Sequence, residues 1–348
     1  MEVLEDYKKI KYDLPREKIA LYPAEPRDSC KLMVVHLPSF QIEDVIFKDI
    51  CRYFHKRDVI AVNNSRVISA RLKGSKITGG KAEFLLLEKI DENRWESLGK
   101  PYSRLNEGAE IKISSPANAT CRIRILKKKK DGRFLLETPS DIVSFGHIPL
   151  PPYIITEREI TARDSLDYQT VFSEIDGSVA SSTAALHFTK ETVGRLISGG
   201  VDFVPITLHI GSGTFRSNYE RPEPESFIVT EDNACKLNEA KRICVCGTTV
   251  MRTVETVYDG NRYNAGSGKT GLFIGEGHKF SGVDMFLTNF HLQGTPLLFM
   301  VAAYLDRYFP GEGSGKLIQL YERALNMEYR FLSYGDTMLF IDEEKIVE

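Results

Sequence analysis

The chain has 348 residues, a length that suits about two domains. Its hydrophobic fraction of 42% and charged fraction of 27% exclude a wholly disordered protein. The formal net charge of −2 excludes binding of nucleic acid through bulk charge, although it leaves room for a local basic patch.

The N-terminal segment and the cysteines indicate a cytoplasmic protein. The segment is charged and has no apolar core, so we expect no secretory signal. The longest apolar run, residues 296–305, is about half as long as a bilayer requires, so we expect no membrane span. Six cysteines spread over such a chain favour reduced thiols over a disulfide framework.

The elements predicted in chain order fall into two patterns. Residues 44–55 have the apolar spacing of a helix, and residues 58–63 form a short apolar strand. Between residues 67 and 154, short alternating runs are separated by turn signals, which predicts an all-β module. After residue 168, strands and helices alternate, which indicates an α/β domain with largely parallel strands. We therefore predict an α/β catalytic domain (residues 1–66 and 155–348) with a β-barrel domain inserted at residues 67–154.

The second half contains most of the predicted regular structure. Thr189 caps a helix that ends at Gly199-Gly200. The remaining predicted elements are strands at 201–210, 242–246, 272–274 and 337–341, and helices at 231–241, 248–257, 295–308 and 316–329.

The common signatures of nucleotide and metal enzymes are incomplete. Gly211-Ser-Gly213 has Arg216 where a dinucleotide loop needs its third glycine, and Gly268-Lys-Thr270 has Tyr263 where a phosphate loop needs its first. The sequence also lacks H-E-x-x-H, G-x-S-x-G and a metal-ligand cluster. A nicotinamide enzyme, an NTPase and a metallohydrolase are therefore disfavoured.

Polar residues follow several predicted strands, and open α/β folds bind ligands at the carboxyl ends of strands. Such residues occur at 63–66, 209–215, 247–252 and 288–291, and the segment 182–189 joins them. His187 and His209 are compatible with a role in a binding site and equally compatible with a structural place in the core. The turn before Thr248 and Thr249 is compatible with a simple helix N-cap or with an anion site.

A set of motifs occurs in order along the chain. They are Tyr12-Asp-Leu-Pro15, Tyr22-Pro-x-x-Pro-Arg-Asp28, Val62-Asn-x-x-Arg-Val-Ile-x-Ala-Arg-Leu72, His147-Ile-Pro-Leu-Pro-Pro-Tyr-Ile154, Tyr168-Gln-Thr-Val-Phe172, Gly177-Ser-Val-Ala180, Leu186-His-Phe-Thr189, Leu208-His-Ile-Gly-x-Gly-Thr-Phe215, Gly247-Thr-Thr-x-x-Arg252, Thr288-Asn-Phe-His-Leu292 and Tyr329-Arg-Phe-x-Ser-Tyr-Gly-Asp336. From about residue 12 to 341 the sequence resembles the S-adenosylmethionine:tRNA ribosyltransferase-isomerase family of the queuosine pathway.

The resemblance implies a barrel-like α/β main domain that carries an inserted all-β barrel. It also implies transfer of the ribosyl part of S-adenosylmethionine to an aminomethyl-deazaguanine wobble base of tRNA. Isomerisation of the ribose then gives epoxyqueuosine, and adenine and methionine are released. S-adenosylmethionine is expected as a co-substrate, with no permanent cofactor and no metal. The tRNA is the expected partner, and we favour a monomer.

The sequence departs from the family pattern at Ser181-Ser-Thr-Ala-Ala185, Glu276-Gly-His278, Leu292-Gln-Gly-Thr-Pro296 and Asn64-Ser65. We favour a divergent orthologue over a paralogue that acts on another small-molecule or RNA acceptor. Two other classes stay open at this point: an S-adenosylmethionine enzyme that never uses RNA, and a non-catalytic RNA-binding protein.

The family reaction requires a base for the ribose carbon beside the sulfonium and a proton donor for the departing adenine. The candidates are His187, His209, His291 and Asp284, and the sequence does not choose among the histidines. Arg252 with the adjacent turn is the candidate for binding the methionine carboxylate. Tyr168, Phe215 and Tyr334 are candidates for stacking on the wobble base. The full set of expected substrate-binding residues is Arg66, Tyr168, Thr183, Gly211, Gly213, Thr248, Thr249, Arg252, Asn289, Arg330 and Asp336.

Residues 122–133 hold seven basic side chains against one aspartate, on a predicted hairpin of the β module. Such a hairpin suits tRNA phosphates. A solvated edge hairpin protected by lysines is the alternative. The expected phosphate contacts are Arg122, Arg124, Lys127, Lys128, Lys129 and Lys130.

Overall fold

The computed structural model describes residues 10–211, 213 and 223–345. The strands in chain order are β1 (Lys31–Leu37), β2 (Ile42–Ile46), β3 (Asp58–Asn63), β4 (Ser65–Val67), β5 (Arg71–Lys76), β6 (Lys81–Asp91), β7 (Arg94–Lys100), β8 (Glu110–Ser114), β9 (Thr120–Lys128), β10 (Arg133–Glu137), β11 (Ile175–Ser178), β12 (Asp202–Leu208), β13 (Glu225–Val229), β14 (Arg242–Cys246), β15 (Gly266–Thr270), β16 (Met285–Asn289) and β17 (Thr337–Asp342). The α-helices are α1 (Pro152–Ile155), α2 (Asp164–Asp167), α3 (Lys190–Ser198), α4 (Glu231–Glu239), α5 (Thr248–Val257), α6 (Pro296–Asp306) and α7 (Gly313–Asn326).

Nine strands form one sheet in the order β15–β13–β12–β3–β14–β16–β17–β1–β2. The central strands β12, β3, β14 and β16 are parallel, so their carboxyl ends share one edge. Strand β17 is antiparallel to β16 and parallel to β1, so β17 and β1 begin at that same edge. The expectation of largely parallel strands holds for the centre of the sheet. It fails towards both ends, where β2, β13 and β15 pair antiparallel with their neighbours.

The central strands are continuous apolar runs because helices cover both faces of the sheet. Ile243 and Val245 of β14 pack on one face, in a cluster with α4, α5, α6 and α7. Cys244 and Cys246 of the same strand pack on the other face, with α3 and the 3₁₀ helix Phe47–Tyr53. The two cysteines therefore fill the core.

Six strands close into an antiparallel barrel in the order β10–β7–β6–β5–β8–β9. Its interior is filled by large apolar side chains from every strand, among them Leu72, Phe84, Ile111, Ile123 and Phe134. The predicted fold class, an α/β domain with an all-β barrel, is confirmed. The domain boundaries at residues 67 and 154 stay a prediction. Across the described ranges, no helix is long and apolar enough to cross a membrane.

Two predicted elements are wrong, each because tertiary pairing overrides the local pattern. A helix is expected at residues 44–55, but this segment begins in β2, where β-branched residues pair with β1, and continues as the 3₁₀ helix Phe47–Tyr53. The strand expected at residues 272–274 lies instead at Gly266–Thr270. That strand pairs with β13 at the end of the sheet and is mostly exposed, so it has no apolar pattern to detect.

A buried ion pair lies at the edge of the sheet where β3 and β14 begin. The Arg242 Nε and Nη2 atoms donate to the two carboxylate oxygens of Asp58, and the side chains are 2% and 0% exposed. Asp58 also accepts a hydrogen bond from the backbone N–H of His55, and Arg242 donates to the carbonyl of Tyr53. These contacts satisfy both charges away from water.

We predict that Asp58→Ala lowers the free energy of unfolding by about 3–5 kcal/mol, because it leaves Arg242 charged and unpaired in the core. Urea unfolding followed by circular dichroism measures the change. The matched control is Asp91→Ala, whose exposed pair with Arg94 is solvated and is expected to leave the transition almost unchanged. An equal effect of the two substitutions would contradict the prediction.

Candidate functional site

A cavity of about 250 Å³ lies at the sheet edge where the central strands end. Its walls come from the ends of β14 and β16, the starts of α5 and α6, and the segments 151–153, 181–184 and 332–333. None of the described residues that line it is Asp, Glu, Lys or Arg. The lining combines aromatic and aliphatic side chains with hydroxyls, one amide and one imidazole.

Some of the predicted site residues meet in this cavity and others do not. The predicted residues that line it are Tyr168, Thr183, Thr248, Thr249, Asn289 and His291. The predicted residues outside the lining are Arg66, His187, His209, Gly211, Gly213, Arg252, Asp284, Arg330, Tyr334 and Asp336. Phe215 lies outside the described residues. Two departures from the family pattern, at residues 181–185 and 292–296, contribute to the lining.

His187 lies behind the cavity wall, with both ring nitrogens engaged. Its Nε2 lies 3.2 Å from Asn289 Nδ2, and its Nδ1 lies 3.2 Å from Cys30 Sγ. The Thr183 hydroxyl donates to Asn289 Oδ1 at 2.9 Å, so a series of hydrogen bonds connects His187 to the cavity lining. Burial, helped by the charges of Arg330 and Arg27, lowers the pKa of His187 to about 3.

His291 lies in the cavity wall just after β16. Its Nε2 is 2.8 Å from Thr288 Oγ1, and its Nδ1 has no hydrogen-bond partner among the described residues. The backbone on both sides is fixed, because the His291 N–H donates to the Tyr321 hydroxyl and its carbonyl accepts from Tyr12. Burial lowers the pKa of His291 to about 3, so its ring is neutral at pH 7.

His209 follows β12 and is half-buried beside a chain of serines. Its Nδ1 lies 2.8 Å from Ser65 Oγ, which accepts a hydrogen bond from Ser178 Oγ at 2.7 Å. Burial lowers the pKa of His209. Gly177 has φ of +152°, and a Cβ at that position would lie 2.4 Å from the His209 ring, so the close packing requires glycine.

Arg252, the predicted partner of the methionine carboxylate, is already paired. It forms a buried ion pair with Glu225, a residue that the sequence analysis does not identify. Glu225 also accepts a 2.7 Å hydrogen bond from the N–H of Gly211. The pair therefore holds the glycine turn that follows β12 and lies outside the cavity lining.

The N-terminus of α5 lines the cavity without a side-chain cap. Gly247 precedes it with φ of +93°, and a Cβ there would lie 3.4 Å from Ser182 Oγ. The Ser182 hydroxyl is buried and has no hydrogen-bond partner in the described part of the chain. Free backbone N–H groups and an unpaired hydroxyl thus lie together at one wall.

The remaining predicted residues lie apart from the cavity. Asp284 precedes β16, so the length of that strand, about 16 Å at 3.3 Å per residue, separates it from His291. Its Oδ2 accepts from the Ile243 N–H, and burial raises its pKa. Arg330 and Asp336 pair at 3.5 Å near the start of β1, where Asp336 accepts from the Lys31 N–H. Arg66 is exposed and donates to the carbonyl of Ser173.

The predicted basic hairpin is formed by β9 and β10, but part of its charge is neutralised. Arg122 and Arg124 both lie within ion-pair distance of Glu110, and Lys129 and Arg133 both pair with Glu96. Lys128 donates to the carbonyl of Tyr102 and lies over its ring. Lys127 and Lys130 are exposed and form no ion pair with a described residue.

Two residues near the predicted site carried no signal in the sequence. Cys30 and Glu225 lie outside the predicted polar segments, and only the fold brings them to His187 and to Arg252. No group of three or more His, Cys, Asp or Glu side chains is placed to hold a metal ion in residues 10–211, 213 or 223–345.

The protein is an α/β protein with a closed β-barrel, and its cavity lies at the ends of the central strands of the sheet. A family model described as "Queuosine biosynthesis protein" matches residues 7–340, and the chain belongs to that family. The resemblance derived from the sequence motifs is thereby confirmed.

The chain is also similar to relatives of known name over nearly its full length. A protein of Sulfurihydrogenibium sp. named S-adenosylmethionine:tRNA ribosyltransferase-isomerase is 38% identical over 345 residues, which cover 95% of this chain and 98% of the relative. A protein of the same name from Thermoanaerobacter sp. is 39% identical, with the same coverage. The crystal structure of S-adenosylmethionine tRNA ribosyltransferase from Thermotoga maritima matches with a TM-score of 0.55 and 31% identity, over 95% of this chain and 99% of that one.

We predict that the buried neutral histidines destabilise the fold in acid. The ordinary pKa near 6.5 holds in the unfolded chain, and the folded values of His187 and His291 are about 3, so the unfolded state binds more protons between these limits. Stability therefore falls as the pH drops below 6.5, by about 2 kcal/mol per histidine between pH 7 and pH 5.

The measurement is urea unfolding of His291→Asn at both pH values. We expect the loss between pH 7 and pH 5 to be about 2 kcal/mol smaller than in the wild type. His55→Asn, which replaces an exposed histidine, is the matched control and retains the wild-type loss. An unchanged pH dependence in His291→Asn would show that His291 takes up its proton in the folded protein.

Proposed function

We propose that this protein is an enzyme that transfers the ribosyl moiety of S-adenosylmethionine to the aminomethyl-deazaguanine wobble base of tRNA and isomerises it, forming epoxyqueuosine. Adenine and methionine are the other products. The observation that carries the proposal is a cavity at the strand ends with a neutral histidine in its wall, in a chain that belongs to the queuosine biosynthesis family.

His291 is the proposed base, since it is the one histidine among the described residues that line the cavity. It takes the proton from the ribose carbon next to the sulfonium, whose positive charge stabilises the carbanion that forms. Burial keeps the ring unprotonated but also makes it a weak base, so the sulfonium supplies most of the acidity of the C–H bond. The imidazolium formed in this step carries the proton that the departing adenine requires.

The proposed site for the methionine carboxylate is the uncapped N-terminus of α5. Its first N–H groups lack intrahelical acceptors, and the helix dipole favours an anion at this end. Arg252 supports that site indirectly, because it lies one turn into the same helix and is paired with Glu225. The tRNA is proposed to contact the exposed lysines of the β9–β10 hairpin.

The direct test incubates the protein with S-adenosylmethionine and tRNA that carries the aminomethyl-deazaguanine base. Released adenine and the mass of the wobble nucleoside are measured together. Adenine release with epoxyqueuosine formation supports the proposal. Adenine release without tRNA would indicate a small-molecule enzyme, and tRNA binding without adenine release would indicate a non-catalytic RNA-binding protein. A cytoplasmic location and a monomeric state stay predictions.

We predict that His291→Ala lowers the rate of adenine release about 10²–10⁴-fold, the usual contribution of a positioned acid–base group. His55→Ala removes an exposed histidine and is expected to retain the wild-type rate. If His291→Ala turns over at the wild-type rate while its unfolding midpoint is normal, another residue is the base.

We predict that replacing Lys127 and Lys130 together by alanine weakens tRNA binding. The slope of log K against log salt concentration should fall by about 1 for each lysine that contacts a phosphate. The KM for S-adenosylmethionine should not change, since both lysines lie on the barrel. The matched control replaces the exposed Lys48 and Lys56 by alanine, which removes the same charge elsewhere. A salt slope equal to that of the control would place tRNA on another surface.

A further inference from the structure

The hydrogen bonds around Asn289 have a fixed direction. An amide oxygen can only accept, so the Thr183 hydroxyl donates to Oδ1 at 2.9 Å. An amide nitrogen can only donate, so Asn289 Nδ2 donates to His187 Nε2 at 3.2 Å. A neutral imidazole that accepts at Nε2 carries its proton on Nδ1, which faces Cys30 Sγ at 3.2 Å. The four side chains thus hold one another in a single orientation.

These hydrogen bonds use only half of the hydrogen-bonding capacity of the Asn289 amide. A carboxamide has two N–H donors and two oxygen lone pairs. Thr183 and His187 use one of each, so one donor and one acceptor of Asn289 are left for a ligand in the cavity that Asn289 lines. The surrounding wall is uncharged and includes the rings of Tyr153, Tyr168 and Phe290. A flat, neutral group with a paired donor and acceptor fits these surroundings.

The groups of the two substrates in the proposed reaction differ in how well they match the free donor and acceptor of Asn289. The sulfonium, ammonium and carboxylate of S-adenosylmethionine are charged, whereas its adenine is flat and neutral. Adenine presents the N6 amino donor beside the N7 acceptor, and a side-chain amide pairs with both. A 7-deazaguanine base has a carbon in place of the N7 acceptor, so it cannot form the same pair.

We propose that Asn289 binds the N6–N7 edge of the adenine of S-adenosylmethionine, and that His187, held by Cys30, is the positioning residue that orients the Asn289 amide. This inference rests on the proposed function for the identity of the ligand. His187 acts through Asn289 and does not touch the substrate. Both of its ring nitrogens are occupied, which leaves neither free to remove a proton.

Binding of adenine nucleosides to the wild-type protein tests the proposal without turnover. Isothermal titration calorimetry compares 5′-methylthioadenosine with its 7-deaza analogue, which lacks the N7 acceptor, and with 5′-methylthioinosine, which lacks the N6 donor. We expect each analogue to bind about tenfold or more weakly than the adenine nucleoside. No measurable binding of 5′-methylthioadenosine, or equal affinity for all three, would overturn the assignment.

Binding measurements on variants test which residues produce the preference for the adenine nucleoside over its analogues. Asn289→Leu should bind the three nucleosides with equal affinity. His187→Gln can still accept from the Asn289 amide and should keep the preference for adenine, whereas His187→Leu cannot and should lose most of it. Cys30→Ser and Cys30→Ala form a second matched pair, since only serine preserves an acceptor for His187 Nδ1–H. Unfolding midpoints identify any variant that does not fold, and the analogue series on the wild type does not depend on them.

The results separate this proposal from the proposed function. A normal preference for adenine in Asn289→Leu would show that the adenine binds elsewhere, whatever the turnover. An equal preference in His187→Leu and His187→Gln would show that His187 does not orient the amide. Discrimination that behaves as expected in a protein that forms no epoxyqueuosine would retain the adenine subsite and refute the reaction.

Discussion

The site depends on the direction of six neighbouring strands. Strands β3, β12, β14 and β16 end at one edge of the sheet, and β17 and β1 begin there. Thr337, the first residue of β17, donates from its hydroxyl to the carbonyl of Thr288 at 2.6 Å and fixes the register beside the cavity. Because β17 runs against β16, residues 332–336 arrive next to residues 288–292, although more than forty positions separate them. Cys30 reaches His187 for the same reason, since it immediately precedes β1.

Ion pairs lie at both edges of the sheet, but none of their residues lines the cavity. The edge away from the cavity holds Asp58 with Arg242, Asp284 with Lys345, and Asp342 near Arg307. The cavity edge has an uncharged lining among the described residues. A charge inside the cavity would shift the pKa of His291 and would compete for a charged substrate. The ion pairs on the cavity side, Arg252 with Glu225 and Arg330 with Asp336, stay outside the lining, so they stabilise the fold without placing a charge in the cavity.

The sequence predicted the residues whose role is local and missed those whose role depends on pairing. The strand at Arg242–Cys246 and the helix at Thr248–Val257 are found as predicted, because an apolar run and a glycine turn determine them. The same local signal identified Asn289 and His291 at the end of β16, and both line the cavity. Asp284 was predicted as a candidate proton donor, but it precedes β16, and a strand carries its two ends to opposite edges of the sheet. Glu225 was missed because its partner, Arg252, lies on a different element 27 positions away.

The arrangement also constrains how two substrates of very different size reach one carbon atom. The segment 151–153, which follows the barrel in the sequence, forms part of the cavity wall, and the Tyr153 hydroxyl is hydrogen-bonded to the hydroxyl of Ser333, which also lines the cavity. The cavity holds about 250 Å³, which is too small for a duplex or a loop, so the proposed reaction requires the wobble base to leave its stack. In that proposal the barrel contributes affinity through phosphates, which carry no sequence information, and the uncharged cavity contributes selectivity by the base and nucleoside edges that it can satisfy.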